Sequence, residues 1–413
     1  MDDRALSGRG RRVLFLTSSY PRWDRDPTSA FLHDLAVDLT GRGWRITVLA
    51  PQAPGVLRHE VLDGVELHRF RYAWPERAQR LCYGGGAIEN FRTSRRARVQ
   101  LPGLIAAEWW ATARALTTDV DVLHAHWTLP QGFVAAITPR RRVPRILTVH
   151  GSDVLSLRGR RLDRVAGRAL RAAALVTANS AATAAAARDI GGPRLALATI
   201  PFGIDLERRP AAEDVATLRA RFGGGAGPLL VFVGRLIRGK GVYDIVSAAA
   251  LLSAELPELA VAFVGDGPEA DGIRLEADRL GIASRIHLIG RLEPAEVPAW
   301  YAAADAVVAP SLVEGQGLSI IEAMAAGALV IAARTGGVID TISDGANGLL
   351  VPPGDPVGIA AAVRRVVHDP DEAARMADRG RESVGRFSRA ATANRMAEAY
   401  EDVLARGPAR RPC

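Results

Sequence analysis

The chain has 413 residues, 48% of them hydrophobic and 24% charged, and this composition excludes a disordered or fibrous protein. Two cysteines, Cys82 and Cys413, are too few for a disulfide framework or a cysteine-rich zinc site. The net charge of +8 is uneven, because residues 1–205 carry 30 arginines against 18 acidic residues while residues 206–413 are slightly acidic. The first half is therefore expected to meet an anionic partner. Lysine occurs once, at Lys240.

Residues 11–205 alternate short apolar runs with amphipathic segments, which predicts parallel strands joined by helices. The predicted strands are residues 12–16, 45–50, 65–70, 120–126, 145–150, 175–179 and 195–200. The predicted helices are residues 31–40, 103–117, 162–173 and 181–190. Together they predict one doubly wound α/β domain over residues 11–205, its sheet covered by helices on both faces.

The alternation restarts after residues 210–228, a segment rich in glycine, alanine and proline that we predict to be a linker. The predicted strands are now residues 229–233, 259–264, 286–289, 306–309 and 329–333, and the helices are 242–252, 294–303 and 318–326. A second doubly wound domain is predicted over residues 206–387, with a last helix, 388–406, packing back on the first domain. Ligands bind beyond the carboxyl ends of parallel strands, so we expect the two sheets to face each other across a cleft.

The segment 233–241, V-G-R-L-I-R-G-K-G, lies between a predicted strand and a predicted helix. It has the G-x-x-x-x-G-K spacing of a phosphate-binding loop, but Gly241 stands where such a loop needs Ser or Thr for Mg²⁺. Arg235 and Lys240 instead flank a helix N-terminus, where two cations and free N–H groups could hold a diphosphate. A glycine-rich turn with solvated charges is the simpler interpretation of this segment alone.

The segment 310–327, P-S-L-V-E-G-Q-G-L-S-I-I-E-A-M-A-A-G, contains Glu314 and Glu322. Eight helical residues rise about 12 Å, whereas the carboxylates of a glycosidase lie roughly 5–9.5 Å apart, so an acid–base pair is a poor interpretation. Gly315–Leu318 at a helix N-terminus would meet an anion or sugar hydroxyls. Glu322 would accept hydrogen bonds from vicinal hydroxyls. The alternative is a capped helix with a partly buried glutamate.

Histidines occupy two predicted strands. His150 ends one of them, before Gly151-Ser152-Asp153, and could contact a ligand in the cleft or serve the structure alone. His124 and His126 alternate along another strand, so both side chains should point to the same side. Two histidines alone do not make a metal site. We interpret Asp119-Val120-Asp121 as a turn at the start of that strand rather than a metal-binding D-x-D pair.

The two loop motifs together, G-R-x4-K and E-G-x-G-x4-E-A-M-A-x-G, resemble the retaining GT-B glycosyltransferases of family 4, and the second string is the more specific. Further matching segments are 200–205 (I-P-F-G-I-D), 264–269 (V-G-D-G-P-E), 336–337 (G-G) and 344–352 (D-G-A-N-G-L-L-V-P). The resemblance covers about residues 11–405 and implies the GT-B fold, two Rossmann-like domains facing across a cleft. It implies metal-independent transfer of a hexose from a nucleoside diphosphate sugar to an acceptor hydroxyl, with retention.

The resemblance also implies roles for individual residues. The residues expected to act in catalysis are His150, Arg235, Lys240 and Glu314. The residues expected to bind the donor are Gly234, Gly265, Gly315, Gln316, Gly317, Leu318 and Glu322. The family has Phe where this chain has Gln316, and Pro-Glu where it has Ile339-Asp340. No metal or cofactor is implied, since the nucleotide sugar is a substrate, and UDP is the expected nucleotide.

The acceptor side rests on the loop after the first strand, residues 18–31, which lacks the Gly-Gly of many relatives. Its version is similar to family members that make bacterial surface polysaccharides. The residues expected on this side are Tyr20, Arg22, Trp23, His126 and Asp153. The aromatic residues of the loop would line a sugar or lipid site, or would merely order the loop.

Basic runs at residues 92–98, 139–145 and 158–171 are solvated surface by default. With the arginine-rich first half they suggest an anionic membrane surface or a phosphate-bearing acceptor, either a glycan or a lipid-linked one. No targeting segment or apolar run of membrane-spanning length is visible, so we expect a cytoplasmic protein, peripheral on the inner face of the membrane. The alternatives are a nucleotide-sugar epimerase of the same fold and a basic nucleic-acid-binding protein, for which no motif is present.

Overall fold

The computed structural model describes residues 10–24, 26–84, 87, 90–91, 94–139, 142–155, 162–222 and 227–406. The chain divides into two compact units, which we call unit 1 and unit 2. Unit 1 comprises Met1–Gly203 and Arg389–Cys413, and unit 2 comprises Ile204–Ser388. The chain therefore passes twice between the units, at residues 203–204 and 388–389.

Unit 1 is built on a sheet that has eight strands in the described residues. The strands are β1 Arg12–Leu16, β2 Arg45–Pro51, β3 His59–Leu62, β4 Val65–Phe70, β5 Val122–His126, β6 Arg145–Val149, β7 Leu175–Ala178 and β8 Leu197–Thr199. Their order is β3-β4-β2-β1-β5-β6-β7-β8, parallel except for the β3–β4 pair. The helices are α1 Ala30–Thr40, α2 Arg95–Arg98, α3 Leu101–Ala115, α4 Phe133–Ile137, α5 Ser152–Leu155, α6 Asp163–Ala172 and α7 Ala181–Gly191.

Strand β3 was not predicted, although its turn has a recognisable sequence. Asp63 and Gly64 adopt positive φ angles of 49° and 81°, which are the backbone angles that a two-residue hairpin turn requires. The strand itself lies at the edge of the sheet and buries little, so its apolar pattern is weak. The dipeptide Asp-Gly was therefore the only local signal for this hairpin.

Unit 2 is built on a parallel sheet with the order β11-β10-β9-β12-β13-β14. The strands are β9 Leu229–Val233, β10 Ala260–Val264, β11 Ile286–Gly290, β12 Ala306–Ala309, β13 Val330–Ala333 and β14 Leu349–Val351. The helices are α8 Ala212–Phe222, α9 Val242–Leu252, α10 Ala270–Arg279, α11 Val297–Ala303, α12 Leu318–Ala325, α13 Pro356–His368 and α14 Pro370–Ser383. Apolar side chains cover both faces of the sheet, as expected for parallel strands.

The prediction of a linker over residues 210–228 is wrong, because helix α8 occupies most of this segment. Val215, Leu218 and Phe222 lie at helical spacing and pack against the core of unit 2. Composition alone hid this stripe, since glycine and alanine dominate the segment.

Helices α13 and α14 were also missed, although each begins with an Asp-Pro dipeptide. Asp355 accepts a hydrogen bond from the backbone of Gly358, and Asp369 accepts one from Glu372, so both act as N-terminal caps. Proline then occupies the first helical position, where its missing N–H costs nothing.

The C-terminal helix α15, Arg389–Arg406, packs in the core of unit 1. Met396, Tyr400 and Val403 lie at helical spacing along it and are buried there. The hydroxyl of Tyr400 lies 2.7 Å from Nδ1 of His124. At the start of the helix Arg389 pairs with Asp38 at 2.9 Å, which fastens α15 to α1.

Candidate functional site

The loops that follow β9 and β10 in unit 2 contact each other closely through their backbones. The N–H of Gly234 donates to the carbonyl of Val264 at 3.0 Å, and that of Gly265 donates to Gly290 at 2.8 Å. Gly265 has a φ of 141°, and a Cβ there would lie 1.9 Å from the carbonyl oxygen of Gly234. Only glycine fits at Gly265, so these predicted donor-binding residues hold two strand ends in close contact.

Lys240 and Glu314, 74 residues apart in sequence, meet at the ends of β9 and β12. Nζ of Lys240 lies 2.6 Å from Oε2 of Glu314, and the side chains are 30% and 16% exposed. Two contacts bring the loops together: the N–H of Leu312 donates to Gly239 at 2.9 Å, and Gly241 approaches Pro310 so closely that a Cβ would lie 2.3 Å from its oxygen. The lysine is therefore held beside a carboxylate in a rigid loop pair, with Arg235 exposed in the same loop.

The glycine pair after β13 fixes the backbone of Glu314. The N–H of Gly337 donates to the Glu314 carbonyl at 3.1 Å. Gly336 has a φ of 48°, and a Cβ there would lie 1.8 Å from the same carbonyl oxygen. Oε1 of Glu314 accepts a hydrogen bond from the N–H of Gly315 at 3.2 Å, so backbone and carboxylate are both oriented.

Gly317 caps the start of α12, and its φ of 84° turns the chain into the helix, which begins at Leu318. The first N–H groups of the helix, beginning at Leu318, have no intrahelical acceptor and can meet an anion. Gln316 is buried beside them.

Glu322 lies one turn further along α12. Its Oε2 accepts a hydrogen bond from the Tyr301 hydroxyl at 3.1 Å. Surrounding atoms raise the pKa of Glu322 by burying the carboxyl on most sides, although one face stays exposed to solvent. The Glu322 side chain is therefore partly enclosed by the protein and partly accessible to solvent.

In unit 1, His150 lies between two aromatic rings. Its imidazole stacks on Trp127 at 4.2 Å and 13°, and on Phe202 at 5.0 Å and 21°. Burial lowers the pKa of His150 to about 3, and the neighbouring His124 adds a smaller effect. The ring is therefore neutral at pH 7, and its Nε2 has no hydrogen-bond partner among the described residues.

Asp153 connects the turn after β6 to the loop after β5. Its carboxylate accepts hydrogen bonds from the backbone of His150 at 2.9 Å, and from the backbone and hydroxyl of Thr128 at 2.7 and 3.0 Å. Burial raises its pKa, while these hydrogen bonds act in the opposite direction. Asp153 is buried, so in this structure it positions His150 instead of forming the direct acceptor contact that was expected.

His124 and His126 point to the same side of the sheet, as predicted, with ring centroids 4.1 Å apart. His124 bonds to Tyr400 and to Thr148, whereas His126 has no partner for either ring nitrogen among the described residues. Burial lowers the pKa of His126 well below its ordinary value. His126 has no exposed surface, so it cannot touch an acceptor directly in this conformation.

The loop after β1 divides the expected acceptor residues between core and surface. Tyr20 is fully buried, and its hydroxyl lies 2.8 Å from Nδ1 of His33, so it orders the loop. Trp23 is 55% exposed, and the Arg22 guanidinium lies 4.1 Å from its ring centroid. Asp26 binds Arg22 at 2.7 Å. Of the three acceptor residues expected in this loop, Arg22 and Trp23 thus keep surface that is accessible to solvent.

The Asp119-Val120-Asp121 segment is a strand-start turn, as interpreted from the sequence. The carboxylate of Asp121 accepts a hydrogen bond from the backbone of Arg12 at 2.7 Å. Within the described ranges, no three His, Cys, Asp or Glu side chains converge on a possible metal position. In the same part of the chain, no helix is both long enough and apolar enough to cross a bilayer.

Trp127, Phe202 and Tyr301 were not among the predicted site residues, although they contact His150 and Glu322. Phe202 lies in the I-P-F-G-I-D segment, which carried the resemblance but gave no sign of ring stacking. Trp127 directly follows His126, and that adjacency was the only signal for it.

Two family descriptions match successive parts of the chain. Residues 28–208 match Glycosyltransferase Family 4, and residues 220–383 match Glycosyl transferases group 1. The GDP-mannose-dependent alpha-(1-6)-phosphatidylinositol monomannoside mannosyltransferase of Mycolicibacterium smegmatis is 32% identical over 276 residues, covering 64% of this chain and 71% of the relative. A Mycobacterium tuberculosis glycogen synthase is 28% identical over 392 residues, covering 90% of this chain and 89% of the relative.

Among solved structures, HepE of Anabaena in complex with UDP has a TM-score of 0.74 and 23% identity, covering 95% of this chain and all of the other. Fold and relatives together define a glycosyltransferase of the GT-B type. The chain belongs to the glycosyltransferases of family 4, whose group 1 region forms most of unit 2. These relatives do not favour the epimerase alternative.

Proposed function

We propose that this chain transfers a hexose from a nucleoside diphosphate sugar to a hydroxyl of a glycan or lipid-linked acceptor, with retention of anomeric configuration. Synthesis of the cell envelope or of an extracellular polysaccharide is the role that we propose. Unit 2 would hold the donor, and unit 1 would supply His150 and the acceptor contacts. The GDP-mannose dependence of one relative and the UDP bound to HepE support a nucleotide donor, and we expect a UDP-sugar.

The contact between Lys240 and Glu314 is the observation that carries this proposal. A cation held beside a carboxylate, at strand ends lined with glycine, can exchange that carboxylate for a phosphate oxygen. Glu314 would then be free to accept hydrogen bonds from hydroxyls of the sugar. Arg235 would supply a second positive charge to the diphosphate from the same loop.

In the reaction we propose, the departing diphosphate accepts the acceptor proton on the face where the acceptor attacks. Negative charge grows on the leaving group, and Lys240, Arg235 and the N-terminus of α12 would stabilise it. His150 would form a hydrogen bond with a sugar hydroxyl through Nε2, which has no partner among the described residues; this atom is buried here, so the contact requires that side of the ring to become accessible when the donor binds. A neutral imidazole adds no repulsion to the positive charge that develops at the anomeric carbon.

Glu322 would bind the vicinal hydroxyls of the ribose. Its carboxylate has an exposed face, and the Tyr301 hydroxyl orients it from the other side. Changing Glu322 to glutamine retains the shape and one acceptor oxygen, so it should weaken donor binding less than alanine does.

Donor binding is tested by thermal shift with UDP-, GDP-, ADP- and TDP-sugars. We expect a UDP-sugar to raise the melting temperature most, because a ligand at 100 times its Kd adds about 2.7 kcal/mol to the free energy of unfolding. Lys240→Ala should reduce the shift, and Arg364→Ala, which breaks an exposed ion pair with Glu255, should not. The proposal fails if no nucleotide sugar shifts the parent protein.

Transfer should not depend on a metal ion. Arg235 and Lys240 supply two positive charges, and Gly241 stands where a phosphate-binding loop would carry a metal-binding hydroxyl. We expect the turnover of the extensively dialysed enzyme to be unchanged in EDTA. Loss of turnover that Mg²⁺ or Mn²⁺ restores would contradict this prediction.

A further inference from the structure

The outward face of α3 is apolar. Val99, Pro102, Ala106 and Trp110 are exposed at helical spacing along α3 and the turn before it. Val99 is 77% exposed and Trp110 is 64% exposed, and none of the described residues covers them. An exposed helix usually presents polar side chains to water, so this face is unusual for a solvated helix.

The opposite face of α3 is already used by the fold. Leu104, Glu108 and Thr112 are buried against unit 1. Glu108 is the only acidic residue between Ser94 and Thr117, so the outward face carries no negative charge. The inward face of α3 therefore has partners in the fold, whereas the apolar outward face has none among the described residues.

Arginines flank the exposed face at both ends. Arg95, Arg96 and Arg98 lie in α2, immediately before α3, and Arg114 lies in its last turn. All four are exposed, and none forms an ion pair with any described carboxylate. A row of unpaired cations around an apolar strip is complementary to a surface that is apolar inside and anionic at its edge.

A second exposed tryptophan lies beside this helix. Trp74 lies shortly before residues 78–80, which Gln100 holds at the start of α3. The side-chain oxygen of Gln100 accepts a hydrogen bond from the N–H of Arg80 at 3.0 Å, and its side-chain nitrogen donates to the carbonyl of Ala78 at 2.6 Å. The Arg71 guanidinium lies 4.9 Å from the Trp74 ring. Tryptophan and arginine together fit the headgroup region of a bilayer, because each has an apolar part that can contact acyl chains and a polar part that can stay hydrated.

We propose that the outward face of α3, with Arg95, Arg96, Arg98 and Arg114, docks on an anionic phospholipid bilayer. Trp110 and Val99 enter the interface between headgroups and acyl chains, and the arginines bind lipid phosphates. A second copy of this chain is a poorer partner, because pairing two such faces would bring the arginines together. The proposal goes beyond sugar transfer and holds whatever the donor and acceptor are.

Vesicle flotation of the full chain tests this surface, with phosphatidylcholine vesicles compared with vesicles that also contain phosphatidylglycerol. We expect binding to the anionic vesicles only, and less binding at high salt. The triple change of Arg95, Arg96 and Arg98 to alanine should lower the partition coefficient on the order of 10²-fold. Trp110→Ala should lower it roughly tenfold, and Trp110→Phe should restore most of it.

Matched controls lie in unit 2. Changing Arg364, Arg375 and Arg381 to alanine removes the same charge from another exposed surface, and Leu275→Ala removes a side chain that is 70% exposed. Both should bind vesicles like the parent and melt like it. Equal binding to neutral and anionic vesicles, or parent-like binding by the α3 variants, overturns the proposal. The proposal is also overturned if sedimentation shows a dimer that Trp110→Asp abolishes, while the same variant binds vesicles like the parent.

Discussion

Lys240→Ala should lower kcat by about 10²–10³-fold, which is the usual loss when one preorganised stabiliser of transition-state charge is removed. Nζ of Lys240 lies 2.6 Å from Glu314 at the strand ends of unit 2, where the leaving diphosphate is proposed to bind. The variant should fold, because the side chain fills no core position. It should lose roughly 1 kcal/mol in the free energy of unfolding, since Glu314 is left without its cation. The measurement is turnover with the donor from the thermal-shift panel, alongside the melting temperature.

Lys240→Arg is the more discriminating variant, because Lys240 is the single lysine of the chain and arginine occupies all the remaining Lys-or-Arg positions. The loops are fixed by the Leu312–Gly239 hydrogen bond and by the contact of Gly241 with Pro310, so there is little room for a planar guanidinium. We expect it to retain the charge but not the turnover. Arg364→Ala is the control, since it breaks an ion pair of the same 2.6 Å length on the outer surface of unit 2. Parent-like turnover in both Lys240 variants would make this lysine a surface residue and refute the donor site.

Glu108→Gln should make the chain more stable at alkaline pH and flatten the pH dependence of its stability. Glu108 is fully buried, and burial raises its pKa from the ordinary 4.5 to about 8. The folded state therefore keeps a proton that the unfolded state releases, so the stability that Glu108 contributes is lost as pH rises from about 4.5 to about 8. The slope for one proton is about 1.4 kcal/mol per pH unit.

The Glu108 prediction is measured as the difference between variant and parent in denaturant unfolding at several pH values. Taking the difference matters because His124 and His150, whose pKa values burial lowers, contribute a slope of the opposite sign at acidic pH. Glutamine can still accept the hydrogen bond that Gln131 donates to Oε1 of Glu108 at 2.9 Å. Glu255→Gln, at an exposed carboxylate, is the control and should leave the profile between pH 4.5 and 8 unchanged. Parallel profiles for parent and Glu108→Gln would show that Glu108 is ionised in the folded state.

Much of the architecture was readable from the chain because it depends on local pattern. The bounds of β1, β4, β9, α9 and β12 match the prediction to the residue, since apolar runs and helical stripes are properties of neighbouring positions. Strand β3 buries little and lacks that pattern, whereas the apolar stripe of α8 is hidden among glycine and alanine, so both elements were missed. The resemblance implied Gly234 and Gly265 only as donor-binding residues, and the close contact between backbones that requires glycine at Gly265 is a finding of the structure.

Residue type and spacing in the sequence by themselves predicted two α/β units and the loops that we propose to carry the chemistry. They also carried the resemblance to family 4, which the family descriptions confirm. Only the tertiary structure decided what those residues touch. It paired Lys240 with Glu314, stacked His150 between Trp127 and Phe202, and buried Tyr20 and His126, which were expected at a ligand surface. The physical reason is that a contact between side chains distant in sequence depends on how strands and loops pack, and neighbouring residues in the chain carry no record of that packing.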